Sequence, residues 1–153
     1  MRQVRRSALV AATPERMFQL INEVERYPDF VPGCIAADVL SRTPSEIQAR
    51  LTVGRGPLRT SFTTRNSLLP GQVRMDLVEG PFRSLHGLWT LTPVLQPGSD
   101  EVVGCRVSLA LDFEPRSGLA GLAIAPLVEQ TASSLVDAFV ARARMTHQEA
   151  DRR

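Results

Sequence analysis

Apolar and polar positions along this chain change their period twice, and the two changes divide it into three regions. Arg2 to Val10 reads as a first strand. Met17, Phe18, Leu20, Ile21 and Val24 then recur at helical spacing. That helix is opened by Thr13-Pro14-Glu15, in which Thr suits the N-cap, Pro the first helical position and Glu the positive end of the helix dipole. Pro28 is expected to stop it. The stretch Tyr27-Pro28-Asp29-Phe30-Val31-Pro32-Gly33-Cys34 follows. Proline fixes its own φ and drives the preceding residue out of the α region, so Tyr27 and Val31 are expected extended, in a stiff apolar connector that must pack Phe30.

From Cys34 to Glu114 the period is two. Ile47, Ala49, Leu51 and Val53 alternate with polar neighbours, as do Leu58, Thr60, Phe62 and Thr64, then Val73, Met75 and Leu77. Further runs cover Leu85–Val94 and Val102–Phe113, with Val107, Leu109, Leu111 and Phe113 on one face. The short turn signals between them, such as Gly54-Arg55-Gly56-Pro57, Pro70-Gly71 and Gly80-Pro81, make the strands an antiparallel meander. After Gly118 the helical period returns, with Val128, Ala132, Leu135, Phe139 and Ala143 in one stripe.

Strand, short helix, meander and long helix give an α+β helix-grip fold: a curved seven-stranded antiparallel sheet wrapped around the long C-terminal helix, the only element able to cover its inner face. A single domain over residues 1–147 with a polar tail over 148–153 is expected. A sheet gripping one helix often leaves an interior too wide for side chains to fill, and such a space takes an apolar molecule.

At 153 residues and 43% hydrophobic composition the chain is an ordinary globular domain, with no segment expected to approach the ~20 apolar residues of a membrane span. No signal-peptide pattern precedes the first strand, so a cytoplasmic location is expected. Cys34 and Cys105 have no C-x-x-C spacing and read as reduced, buried thiols. All 18 basic residues are arginine and the net charge is only +2, which says little about partners. There is no G-x-S-x-G, H-E-x-x-H or P-loop pattern. The histidines are His86 and His147, while Glu79 and Glu114 sit at strand ends where carboxylates are normally solvated. No enzymatic activity, metal or cofactor is expected.

Four motifs resemble the bacterial members of the coenzyme Q-binding START-domain family, also labelled RatA-type ribosome-association toxins, within the polyketide cyclase and lipid-transport superfamily. They are Tyr27-Pro28-x-Phe30-x-Pro32-x-Cys34, Gly80-Pro81-Phe82-x-x-Leu85-x-Gly87-x-Trp89, Cys105 leading to Phe113-Glu114, and Ala138-Phe139-x-x-Arg142-Ala143. Gly33 departs from the pattern, since many relatives carry tryptophan there. The resemblance implies a START-like fold and non-enzymatic binding of an isoprenoid quinone in support of respiration. It also implies an alternative, association with the large ribosomal subunit that blocks joining of the subunits. DNA is not an expected partner.

Under the quinone reading the ligand-binding set is Tyr27, Phe30, Leu51, Val53, Phe62, Met75, Leu77, Phe82, Trp89, Leu109, Leu111, Phe113, Val128, Thr131 and Leu135, closed further by Phe139. A quinone only accepts hydrogen bonds, so donors are sought in Tyr27, Thr60, Thr64, Thr131 and the Trp89 indole, with Tyr27 first. Gly118 to Val128 carries no charge; it reads as a gate hinged at Pro126 that touches the inner-membrane surface near Leu119, Leu122 and Ile124. Under the ribosome reading the outer sheet face carries Arg50, Arg59, Arg65, Arg74 and Arg106 toward phosphates, among Glu46, Asp76 and Asp112.

Overall fold

The computed structural model of the chain describes residues 1–151, with side chains through Met145. His147 and the whole segment set apart as a tail therefore lie outside the described side chains. The elements are β1 (Arg2–Val10), α1 (Pro14–Asn22), a 3-10 helix (Val24–Asp29), β2 (Cys34–Arg42), β3 (Glu46–Arg55), β4 (Leu58–Leu69), β5 (Gln72–Glu79), β6 (Phe82–Leu95), β7 (Val102–Pro115) and α2 (Leu119–Asp151).

The strands form one antiparallel sheet in the order β1-β7-β6-β5-β4-β3-β2. Every neighbour pair but one is a hairpin. The exception joins the two ends of the strand region, with Arg2 opposite Phe113 and Val10 opposite Cys105. Register shifts at Cys34/Ala36, Val39/Ser41 and Thr63/Thr64 are the bulges that let so long a sheet curl around α2. The helix-grip architecture follows, with α2 against β1, β7, β3 and β4.

The start of α1 is as its sequence requires, the Thr13 hydroxyl accepting from the Arg16 N–H at 3.1 Å. Its end is not. The helix stops at Asn22, and Pro28 lies inside the 3-10 helix that follows, together with Tyr27. The expectation of an extended Tyr27 is corrected as well: it lies inside that 3-10 helix, the Val31 N–H closes back on its carbonyl at 2.8 Å, and the Cys34 N–H on the Val31 carbonyl at 3.1 Å. The connector is a succession of turns. Tertiary contacts override the local bias of a residue before proline, because the Tyr27 ring packs edge-on against Phe30 and Phe139 and its hydroxyl donates to the Ile21 carbonyl.

A second correction concerns α2. Leu119–Met145, 27 residues with a mean hydropathy of 1.3, has the length and composition of a membrane span. It is the core helix here. Phe139 and Val136 are fully buried, and the apolar stripe lies on the sheet.

Candidate ligand-binding site

The interior is two cores rather than one. The first gathers α1, the connector and the C-terminal half of α2 around Trp89, Leu109 and Phe139. The second gathers the N-terminal half of α2 over Val53, Leu85, Leu111 and Phe113. Each is organised by edge-to-face aromatic pairs: Phe139 stands 5.2 to 5.3 Å from Tyr27, Phe30 and Trp89, and Phe82 stands 5.6 Å from Phe62 and 5.8 Å from Phe113. Where the two cores meet, their side chains do not fill the space between them. A cavity of about 70 Å³ remains at the seam.

Of the residues expected to meet a ligand, the cavity wall brings together Tyr27, Leu51, Val53, Phe62 and Met75, with Trp89, Leu111, Val128, Thr131 and Leu135 opposite. Five expected residues do not reach it. Phe30 lies behind Tyr27 and Phe139 with the Arg142 guanidinium 5.4 Å above its ring, and Leu109 belongs to the first core. Phe82, Phe113 and Leu77 stack or pack behind Phe62 in the second core. Inward parity was right for Leu77, Leu109 and Phe113, but parity does not tell which inward residue faces a void and which faces another side chain.

The wall also contains Val24, Val31, Cys34, Ala49, Asn66, Leu85 and Ala132, which the sequence reading passed over. Thr64 and Asn66 are two apart on β4, so both point inward. They are buried to 5% and 7% exposure, and the Thr64 hydroxyl donates to Asn66 Oδ1 at 2.9 Å. Thr60, the other threonine considered, is not in the wall.

Tyr27 does not act as the free donor expected of it. Its hydroxyl is already committed to the Ile21 carbonyl, and burial, with smaller contributions from Cys34 and Glu25, pushes the phenol well above its usual pKa. Burial likewise pushes the Cys34 thiol up to about 11, against a small opposing effect of the Ala36 backbone.

The cavity measures only about 70 Å³. Sites for drug-sized ligands run to roughly 300–1,000 Å³, so a substituted ring enters only if side chains move. The most mobile candidate is Met75, whose unbranched thioether lies over Gly87. Outside the cavity a groove of about 780 Å³ runs between Pro32-Gly33, Gly54-Arg55 and the α2 face from Pro126 to Ser134. Thr131 belongs to both spaces. Gly33, at φ +84, closes on it so tightly that a Cβ would lie 2.7 Å from Thr131 Oγ1. A tryptophan at this position would require a different turn.

At the start of α2, Leu119 and Leu122 are exposed, as a surface contact needs. Ile124 is not. It is 9% exposed and packs in the second core, which removes it from the proposed membrane face because its helical position turns it toward the sheet. α2 passes through Pro126 without interruption.

On the outer face, Arg50, Arg59, Arg65, Arg74 and Arg106 are all exposed. Arg50 pairs with Glu79 at 3.6 Å and Arg65 with Glu46 at 3.3 Å. His86 meets Asp76 at 3.1 Å on that face. Glu79 and Glu114 are absent from the cavity wall. Among the described residues no three His, Cys, Asp or Glu side chains are grouped to hold a metal.

Residues 10–140 match the family described as polyketide cyclase/dehydrase and lipid transport. The chain is 41% identical over 150 residues to the ribosome association toxin RatA of Vibrio cholerae, covering 97% of this chain and 100% of that protein. It is 27% identical over 135 residues to the mitochondrial coenzyme Q-binding protein COQ10 homolog B of Xenopus laevis, covering 87% and 54%. Two solved structures share the fold at low identity. A START superfamily protein from Mycobacterium smegmatis aligns with a TM-score of 0.75 at 22% identity, covering 94% of this chain and 98% of that one. The Zhui aromatase/cyclase from Streptomyces aligns with a TM-score of 0.77 at 19% identity, covering 94% and 93%.

Proposed function

Given that this chain belongs to the polyketide cyclase/dehydrase and lipid transport family, and within it to the group of the ribosome association toxin RatA, we propose that it binds a carbonyl-bearing apolar molecule of the isoprenoid-quinone class at the seam between its two cores. The observation that carries this reading is the cavity itself, apolar on nearly every side and open to enlargement at Met75. The distant relative named as a coenzyme Q-binding protein supports the ligand class. Binding is non-enzymatic in this account, since the wall offers no acid–base pair. Hydrocarbon burial in the cavity and in a bilayer are worth similar amounts, ~0.8 kcal/mol per CH₂ in each, so the protein shields and hands over rather than traps. Leu119 and Leu122 supply a transient contact with the inner membrane from which the ligand comes. The test is extraction: mixed with vesicles containing a long-chain ubiquinone, the refloated protein should carry quinone, and a protein that floats away empty at every ratio would refute the reading.

A second reading is favoured by a different observation, the name of the nearer relatives at 39–41% identity. In it the chain associates with the large ribosomal subunit through the outer sheet face. Arg59, Arg74 and Arg106 support this, being exposed with no carboxylate within 4.0 Å among the described residues. The two readings use opposite faces of the sheet and do not compete for residues. Cosedimentation with purified large subunits, weakening steeply as salt rises, is the outcome this reading expects.

A further inference from the structure

From the polar pair buried on β4, we infer that Asn66 is the head-group receptor of the cavity, with Thr64 as the residue that aims it. This rests on the ligand-binding reading above and assigns the contact that reading leaves open.

Asn66 is more than nine-tenths buried in a wall that is otherwise almost wholly apolar. A side-chain amide has one acceptor oxygen and two N–H donors. The Thr64 hydroxyl occupies the oxygen at 2.9 Å, and Nδ2 donates to no described residue. An acceptor for those N–H groups would have to come from the cavity that Asn66 lines. The Thr64 bond also decides which end of the amide is left over. Held by its oxygen, Asn66 presents only N–H to the cavity, which suits a carbonyl or ether oxygen and not a hydroxyl that must donate. The Trp89 indole N–H is a second donor in the same wall. Register sets the two in adjacent rows, Asn66 opposite Met75 and Trp89 opposite Val73. Met75 therefore stands beside the receptor, and its displacement opens room where the donor points.

The inference separates head group from tail, and so does its test. Calorimetric titrations would compare a one-isoprene ubiquinone with a hydrocarbon of matched size, for the wild type, Asn66→Leu and Thr64→Val. Infrared spectra of the bound quinone would report its carbonyl stretch. We expect Asn66→Leu to weaken quinone binding by roughly tenfold, the scale of one buried hydrogen bond. Hydrocarbon affinity should be unchanged or improved. The downshift of the carbonyl stretch seen on the wild type should vanish with Asn66→Leu and shrink with Thr64→Val, which keeps the receptor but frees its orientation. A folded Asn66→Leu protein that holds the quinone as tightly, with the same carbonyl frequency, overturns the assignment while leaving the ligand-binding reading intact. If Asn66→Leu does not fold, an unchanged spectrum on Thr64→Val overturns it equally. A wild type that binds neither probe overturns both.

Discussion

Met75 occupies the space that a side chain on Gly87 would need: a Cβ built on Gly87 would lie 2.3 Å from Met75 Cε and 3.2 Å from Leu111 Cδ1. Both neighbours line the cavity, so the absent side chain at this inward position of β6 is what gives Met75 a place to rest. Gly87→Ala should push the thioether into the void. Because the displaced atom is the end of a flexible chain, folding should change by about 1 kcal/mol or less, while ligand affinity falls by roughly fivefold or more. Thermal unfolding and titration with a short-chain quinone measure the two effects separately.

Tyr27→Phe removes a donor from the buried Ile21 carbonyl and leaves the aromatic stack in place. The expected cost is about 1–3 kcal/mol of stability, read from chemical denaturation. Quinone selectivity should be untouched, because this hydroxyl is not directed at the ligand. A stable variant with altered selectivity would reverse that assignment.

Burial holds the Cys34 thiol at about 11, above its ordinary value of 9.0. The folded protein therefore binds its proton more tightly than the unfolded chain, and the resulting stabilisation is fully present below pH 9 and lost as pH rises through 11. Cys105 is raised in the same direction by burial. Stability should fall over that alkaline window, and iodoacetamide should leave both thiols unmodified in the native protein at neutral pH while labelling them in denaturant.

How much of this was legible in the sequence varies by level. The strands and their inward parity followed from alternation, and α1 from its cap. Asn66 carried a signal that alternation could have supplied: the inward series Leu58, Thr60, Phe62, Thr64 continues to Asn66 and Leu68, since β4 runs to Leu69. A polar residue at an inward position reads as the end of a strand, which stops the series two steps early. The 3-10 geometry of Tyr27 and Pro28 was not legible, because it is fixed by Phe139, far along the chain, and by Ile21 on the preceding helix. Nor was the division into two cores, which depends on how the volumes of distant side chains fill a curved sheet.

Reversing charge at Arg59, Arg74 and Arg106 together should weaken cosedimentation with large ribosomal subunits and flatten its salt dependence by about two to three in log–log slope, if the outer face meets phosphates. Ligand binding should be unaffected, as none of the three lines the cavity. Unchanged cosedimentation would move the contact to another surface.

The central claim, a ligand at the seam of the two cores, is tested most directly by what the protein carries. Purified from its own host without detergent, then extracted and analysed by mass spectrometry, the wild type should yield an isoprenoid quinone. A folded variant with Phe62→Asp and Leu111→Asp, which places two charges in the cavity wall, should yield none. A wild type that carries no lipid, or a folded double variant that carries the same quinone in the same amount, would contradict the account.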